Sequence, residues 1–135
     1  MEGEKKKILI VDDDNFLLDM YALKFSQNNF EVYTASSGVH ALEKLQGGLS
    51  PDVMMMDIIM PDMDGFETLG KINEQNLCPN CTKIILSNKS EQSDIEEGRK
   101  LGIAGYIVKA NSTPAEVINK VVKILEDKAK PNGSR

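Results

Sequence analysis

The chain reads as an α/β domain built on a mostly parallel sheet, and three observations predict it. Five short apolar runs alternate with five helix-like stretches along the 135 residues, the pattern of parallel strands joined by crossover helices. The first run, Ile8-Leu9-Ile10-Val11, is continuous rather than alternating, as expected of a strand buried on both faces. No internal repeat or low-complexity segment interrupts the order. A chain of this length fits one domain, and a single core at this size needs no disulfide or metal staple.

Taken in order, the first strand spans Ile8 to Val11, and Asp14 is placed to cap a helix carrying Leu17, Tyr21 and Phe25 at helical spacing. Asn28-Asn29 ends that helix, Glu31 to Ala35 is the second strand, and Ser37 caps a helix with Ala41, Leu42 and Leu45. Gly47-Gly48 and Pro51 precede the third strand, Val53 to Met56; a loop with Pro61 leads to a helix with Phe66, Leu69 and Ile72. Lys83 to Leu86 is the fourth strand, followed by a helix over Ser90 to Leu101 that Gly98 weakens. Gly102 and Gly105 bracket the turn into Tyr106-Ile107-Val108. The last helix opens on a capping box, Thr113-Pro114-Ala115-Glu116, and carries Ile118, Val121, Val122 and Leu125 as its apolar stripe. Residues 1–6 read as an N-terminal extension, 7–127 as the domain and 128–135 as a flexible tail or linker remnant.

Composition narrows the function. Sixteen basic against 21 acidic residues leave a formal charge of −5, which argues against direct nucleic-acid binding, since phosphate contacts need clustered Lys and Arg. Lys5-Lys6-Lys7 is the one basic cluster, and it reads as a solvated strand entrance. No apolar run is long enough for a membrane span, and Lys7 passes straight into a strand ending in Asp12, unlike a signal peptide. Two cysteines cannot build a disulfide framework. These features point to a soluble, cytoplasmic protein.

Ligands of such sheets bind beyond the carboxyl ends of the strands. There the sequence sets Asp12-Asp13 after strand one, Asp57 after strand three, Ser87 after strand four and Lys109 after strand five. Converging carboxylates repel one another unless a cation intervenes. Asp12, Asp13 and Asp57 with Lys109 carry a net formal charge of −2, which suits one Mg²⁺. With the metal and Lys109 neutralising phosphoryl oxygens and Ser87 donating a hydrogen bond, Asp57 is the nucleophile for phosphoryl transfer. Each residue alone has a plainer reading: Asp13 as a cap, Ser87 as a turn residue, Lys109 as a solvated edge lysine. The combination carries the argument.

These residues closely resemble the receiver domains of two-component response regulators, from about Lys7 to about Asp127. The resemblance rests on the apolar strand before Asp12-Asp13, on Val53-Met54-Met55-Met56-Asp57 with Met60-Pro61-Asp62-Met63-Asp64-Gly65, on Ser87 after Ile84-Ile85-Leu86, and on Gly102 through Gly105-Tyr106-Ile107-Val108-Lys109. It implies a flavodoxin-like (βα)5 doubly wound sheet of five parallel strands in order 2-1-3-4-5. It implies a signalling switch rather than an enzyme, which takes a phosphoryl group from a histidine kinase or histidine phosphotransfer protein onto Asp57. In that resemblance Asp13, Asp57 and the backbone carbonyl of Ile59 are direct Mg²⁺ ligands, and Asp12 acts through water. Ser87 and Lys109 contact the phosphoryl group, Ser87 and Tyr106 form the switch pair, and Ile59 and Lys89 tune phosphoryl lifetime. The signal is read by an output partner, or a second copy of the chain, on the face of helix four, strand five and helix five; a stripe of Val117, Val121 and Ile124 is broad enough to suggest a dimer, although core packing explains most of it. One departure stands out: the family has proline after the lysine, in a cis bond, and here Ala110 follows Lys109. A trans path is expected, because a cis bond before a non-proline costs about 2.5–4 kcal/mol.

Competing readings are weaker. Cys78-Pro79-Asn80-Cys81 has redox or metal-ligand spacing, but no second pair exists for zinc and the pair precedes a strand rather than opening a helix, so a plain loop is expected. The methionines read as core filling and His40 as a surface residue of helix two. Many aspartate-based phosphatases place a second Asp two residues after the nucleophile, and Ile59 at that position weighs against a phosphohydrolase. A phosphorylation-independent receiver-like interaction module would be expected to lose acidic or lysine positions that this chain keeps.

Overall fold

Every apolar run becomes a strand of one sheet: β1 (Lys6–Val11), β2 (Phe30–Ala35), β3 (Val53–Met56), β4 (Thr82–Ser87) and β5 (Gly105–Val108). The computed structural model describes residues 4–129, so parts of the expected extension and tail, residues 1–3 and 130–135, lie outside the described residues. All neighbouring strands pair in parallel, in the order β2-β1-β3-β4-β5. Central strands β1, β3 and β4 are apolar without alternation because both faces are covered, and β3 and β4 are buried at every position.

Five helices provide that cover: α1 (Asn15–Gln27), α2 (Gly38–Gln46), α3 (Gly65–Glu74), α4 (Gln92–Lys100) and α5 (Pro114–Ala129). Four starts have side-chain caps that satisfy amides left free by the first turn. Asp14 accepts from Phe16 and Leu17, Ser37 from His40, and Asp64 with Glu67 forms a reciprocal capping box. Thr113 and Glu116 exchange the same pair of bonds at the head of α5. A short 3₁₀ turn, Lys109–Asn111, follows β5.

The side chains sort onto two faces. One holds Ile8, Ile10, Met55, Ile84 and Ile107 against Tyr21 and Phe25 of α1 and Val117, Ile118 and Val121 of α5. The other holds Leu9, Val11, Met54, Met56 and Ile85 against α2 and α3. Phe25 and Phe30 meet edge to face with centroids 5.1 Å apart. The methionines of β3 are fully buried core, as expected. His40 sits on α2, half-buried rather than at the surface, with Nδ1 accepting from the Ser36 amide at 3.3 Å.

Several local expectations shift. Helix α1 buries Leu18 beside Tyr21 and Phe25, whereas Leu17 turns toward the carboxyl edge of the sheet. Val117 and Val121 are wholly buried, so core packing accounts for most of their stripe, as expected, and they are unavailable to a second copy. α4 is shorter than expected: it begins at Gln92, two residues after Ser90, with Asp94 Oδ2 accepting from the Glu91 amide at 3.1 Å, and ends at Lys100. Gly98, read from sequence as a weak point, has a packing reason: a Cβ there would stand 2.6 Å from Ile103 Cδ1. Glycine leaves room there for the Ile103 side chain, with Ile85 of β4 next at 3.3 Å.

Candidate functional site

At the carboxyl edge, the ends of β1, β3, β4 and β5 open onto a cavity of about 350 Å³ lined by Asp12, Asp13, Asp57, Ile59, Ser87 and Lys109, with Asp14, Leu17 and Asn88 on its wall. Asp12 and Asp57 each follow the last residue of their strand, Ser87 is the last residue of β4, and Lys109 follows β5. Parallel pairing aligns these ends: Val11 pairs with Met56, Met56 with Ile85, and Ser87 with Val108. Four positions scattered along the chain are thereby brought to one place.

Lys109 organises the charges. Its Nζ donates to Asp12 Oδ2 and to Asp57 Oδ2, both at 2.8 Å. The remaining oxygens of these carboxylates are held by backbone amides: Asp12 Oδ1 accepts from Asp14 at 2.9 Å, and Asp57 Oδ1 from Ile58 at 2.7 Å and Ile59 at 3.4 Å. Asp12 and Asp57 are buried, while Asp13 is exposed. Burial pushes the Asp12 carboxyl above its ordinary range; the hydrogen bonds from Lys109 and the Asp14 amide only partly offset this, and the Asp57 charge adds to it. For Lys109, burial works against the charge, but the hydrogen bonds to Asp12 and Asp57 outweigh it and hold the ammonium above the usual lysine range.

One carboxylate oxygen from each of Asp12, Asp13 and Asp57 can be chosen so that all lie within 4.8 Å of one another. An all-oxygen, strongly anionic donor set beside open space fits a hard divalent cation and leaves room for its waters.

Ser87 is fully buried, and its Oγ accepts from the Lys89 amide at 3.3 Å. Tyr106 is half-buried, its ring packed against the α2–α3 side of the core and its hydroxyl donating to the Lys89 carbonyl. That burial, and then the charges of Asp94 and Asp57, push the Tyr106 hydroxyl up to about 12. Lys89 is exposed and pairs its ammonium with Asp94 at 3.3 Å. The backbone of one residue thus joins Ser87 to Tyr106. Ile59 is 60% exposed at the cavity mouth.

Asn88 was not singled out from sequence. Its Oδ1 accepts from the Ala110 amide at 2.8 Å, tying the loop after β4 to the turn that carries Lys109. No cis peptide bond occurs among the described residues, so Lys109-Ala110 is trans. A proline at 110 would have no amide to give. The signal was present in sequence as the pairing of an unusual Ala110 with an amide-bearing acceptor after Ser87, but neither residue reports it alone.

Known proteins resemble the chain in sequence and in fold. A family model described as response regulator receiver domain matches residues 8–122. The chain is 36% identical over 121 residues to the chemotaxis protein CheY of Thermotoga maritima, covering 87% of this chain and 98% of that one. It is 33% identical over 120 residues to the alkaline phosphatase synthesis transcriptional regulatory protein PhoP of Bacillus subtilis, covering 89% of this chain. It spans about half, 48%, of PhoP's length. Among solved structures, a CheY-like receiver domain protein from Methanospirillum hungatei superposes with a TM-score of 0.83 at 27% identity, covering 92% of this chain and 96% of that one. Chemotaxis protein CheY4 of Vibrio cholerae superposes with a TM-score of 0.82 at 27% identity, covering 90% and 99%.

Proposed function

The chain belongs to the response regulator receiver family, whose members act as signalling switches, and on that premise we propose that Asp57 is the phosphoacceptor of a two-component pathway. The observation that carries the reading is the Lys109 ammonium held 2.8 Å from both Asp57 and Asp12, beside a cavity that Asp13 and Ser87 also line.

A carboxylate is already nucleophilic at neutral pH, so Asp57 needs no general base. One Asp57 oxygen attacks the phosphorus of a phosphohistidine on a kinase or phosphotransfer protein. The new O–P bond forms as the P–N bond breaks, and the imidazole nitrogen keeps that electron pair. Asp13, Asp57 and the Ile59 carbonyl would hold Mg²⁺, with Asp12 acting through water, and the cation supplies positive charge against the phosphoryl oxygens. Lys109 is already in place to follow those oxygens. Ser87 can turn its hydroxyl to donate to a phosphoryl oxygen, and in doing so give up the Lys89 amide its Oγ accepts from, which loosens the segment whose carbonyl holds Tyr106. The readout face is then α4, β5 and α5, presented to an output partner.

Intact mass after incubation with acetyl phosphate and Mg²⁺ tests the reading. The expected result is a Mg²⁺-dependent gain of one phosphoryl group, absent in Asp57→Asn. No gain in the wild-type chain, with Mg²⁺ binding intact, would favour a phosphorylation-independent interaction module.

A further inference from the structure

The connection from α3 to β4 carries a second chemical feature, at the opposite end of β4 from Ser87. Cys78, Pro79, Asn80 and Cys81 form a hydrogen-bonded β-turn in which the Cys81 amide donates to the Cys78 carbonyl at 3.1 Å. Proline stands at the second position of that turn, where its fixed φ is favourable. Such a turn brings its end Cα atoms within about 7 Å, and disulfides span Cα separations of about 4.4–6.8 Å. The two thiols are free; Cys78 Sγ donates to the Pro51 carbonyl at 3.5 Å and Cys81 Sγ to the Thr82 carbonyl at 3.6 Å.

Their surroundings differ. Cys78 is half-exposed, with its thiol 3.5 Å from the Pro51 carbonyl, whereas Cys81 is buried at 6% exposure. The Lys83 ammonium donates to the Cys78 carbonyl at 3.4 Å, which places a positive charge beside the pair. Cys78 adopts a left-handed φ of 50°, uncommon for a non-glycine residue, so its placement is imposed by the turn. Among the described residues, the only cluster of three or more side chains able to hold a metal is Asp12, Asp13 and Asp57, so the cysteines lack the further ligands zinc needs.

We propose that Cys78 and Cys81 form a dithiol–disulfide modification site, with Cys78 as the attacking thiol, Cys81 as the resolving thiol, and low-molecular-weight disulfides of the glutathione type as oxidant. The Cys81 thiol, and then the charge of Lys83, pull the Cys78 thiol down against its burial, while the same pairing and burial push Cys81 up. The Cys78 thiolate attacks one sulfur of the small disulfide; a mixed S–S bond forms and one small thiolate leaves. Cys81 sulfur then attacks Cys78 Sγ, closing the intramolecular disulfide and releasing the second small thiolate. Both cysteine protons end on the released thiols; the protein loses two electrons and the small disulfide gains them.

The test is intact mass and alkylation of the full chain after equilibration in oxidised and reduced glutathione mixtures. The wild-type chain is expected to lose two hydrogens and resist alkylation at both cysteines under oxidising mixtures. Cys81→Ser should stop at one glutathionyl adduct on Cys78, and Cys78→Ser should stay unmodified over the same time. In the untreated wild-type chain, Cys78, the more exposed thiol, should alkylate at least about tenfold faster than the buried Cys81. That last comparison needs no variant to fold. Two alkylatable thiols in the wild-type chain under oxidising mixtures would overturn the proposal, as would equal adduct formation by the two variants. Asp57 phosphorylation is scored separately, so either reading can fail alone.

Discussion

Asp12 and Lys109 set the electrostatics of the sheet's carboxyl edge one residue at a time. Asp12 has its carboxyl raised from the ordinary 3.8 by burial, so the folded chain holds that proton to higher pH than the unfolded chain does. Stability therefore falls as pH rises from 3.8 through the folded value, and above it the fold carries an ionised buried group at a cost. Asp12→Asn should raise the melting temperature of the metal-free protein at neutral pH, with the gain vanishing below 3.8. A lower melting temperature at neutral pH would mean that pairing with Lys109 outweighs burial. Ile59 belongs to this scale as well. Its exposed apolar side chain stands at the cavity mouth and cannot orient a water against an aspartyl phosphate. Replacing it with Asn should shorten the phosphoryl lifetime several-fold, read as loss of the adduct mass with time, and an unchanged decay would remove Ile59 from that role.

At the scale of elements, the carboxyl edge of the sheet depends on loops being held to one another. The Asn88–Ala110 hydrogen bond ties the end of β4 to the turn after β5, and so bears on where Lys109 sits. Asn88→Ala should cost about 1 kcal/mol, the usual net worth of one such bond, and slow phosphorylation by acetyl phosphate. Ala110→Pro removes the same donor and should match it in denaturant midpoint if the bond is what matters. Gly65 plays a comparable part at the start of α3. A Cβ there would stand 2.4 Å from the Asp57 carbonyl oxygen and 2.8 Å from Ile58 Cα. Gly65→Ala should destabilise by about 1–3 kcal/mol through overpacking, and it should impair phosphorylation more than an equally destabilising change in α1.

The molecule as a whole couples this edge to its stability. Two buried carboxylates share one lysine, with a third carboxylate close by, so a divalent cation should bind the folded chain and have little affinity for the unfolded one. Mg²⁺ at a hundred times its Kd should then add about 2.7 kcal/mol to unfolding free energy. Thermal melts with and without Mg²⁺ check this, and Asp13→Asn should remove most of the gain. No helix of the described residues is long and apolar enough to cross a membrane.

The sequence by itself determined the elements and the sheet edge at which their chemistry gathers. Apolar runs, helix caps and glycine or proline breaks are local signals, encoded within a few residues of where they act. That is why Asp14, Ser37 and Thr113 were legible as caps and why Asp12, Asp57, Ser87 and Lys109 could be assigned to strand ends. Only the tertiary structure decided which side of α1 is buried, why Gly98 is tolerated in α4, and that Val117 and Val121 belong to the core. It alone joined Asn88 to Ala110 and placed the Lys109 ammonium between two carboxylates, one of them 97 residues away in the chain. Those contacts follow from the register and stacking of elements distant in sequence, and no periodicity or local propensity carries that information.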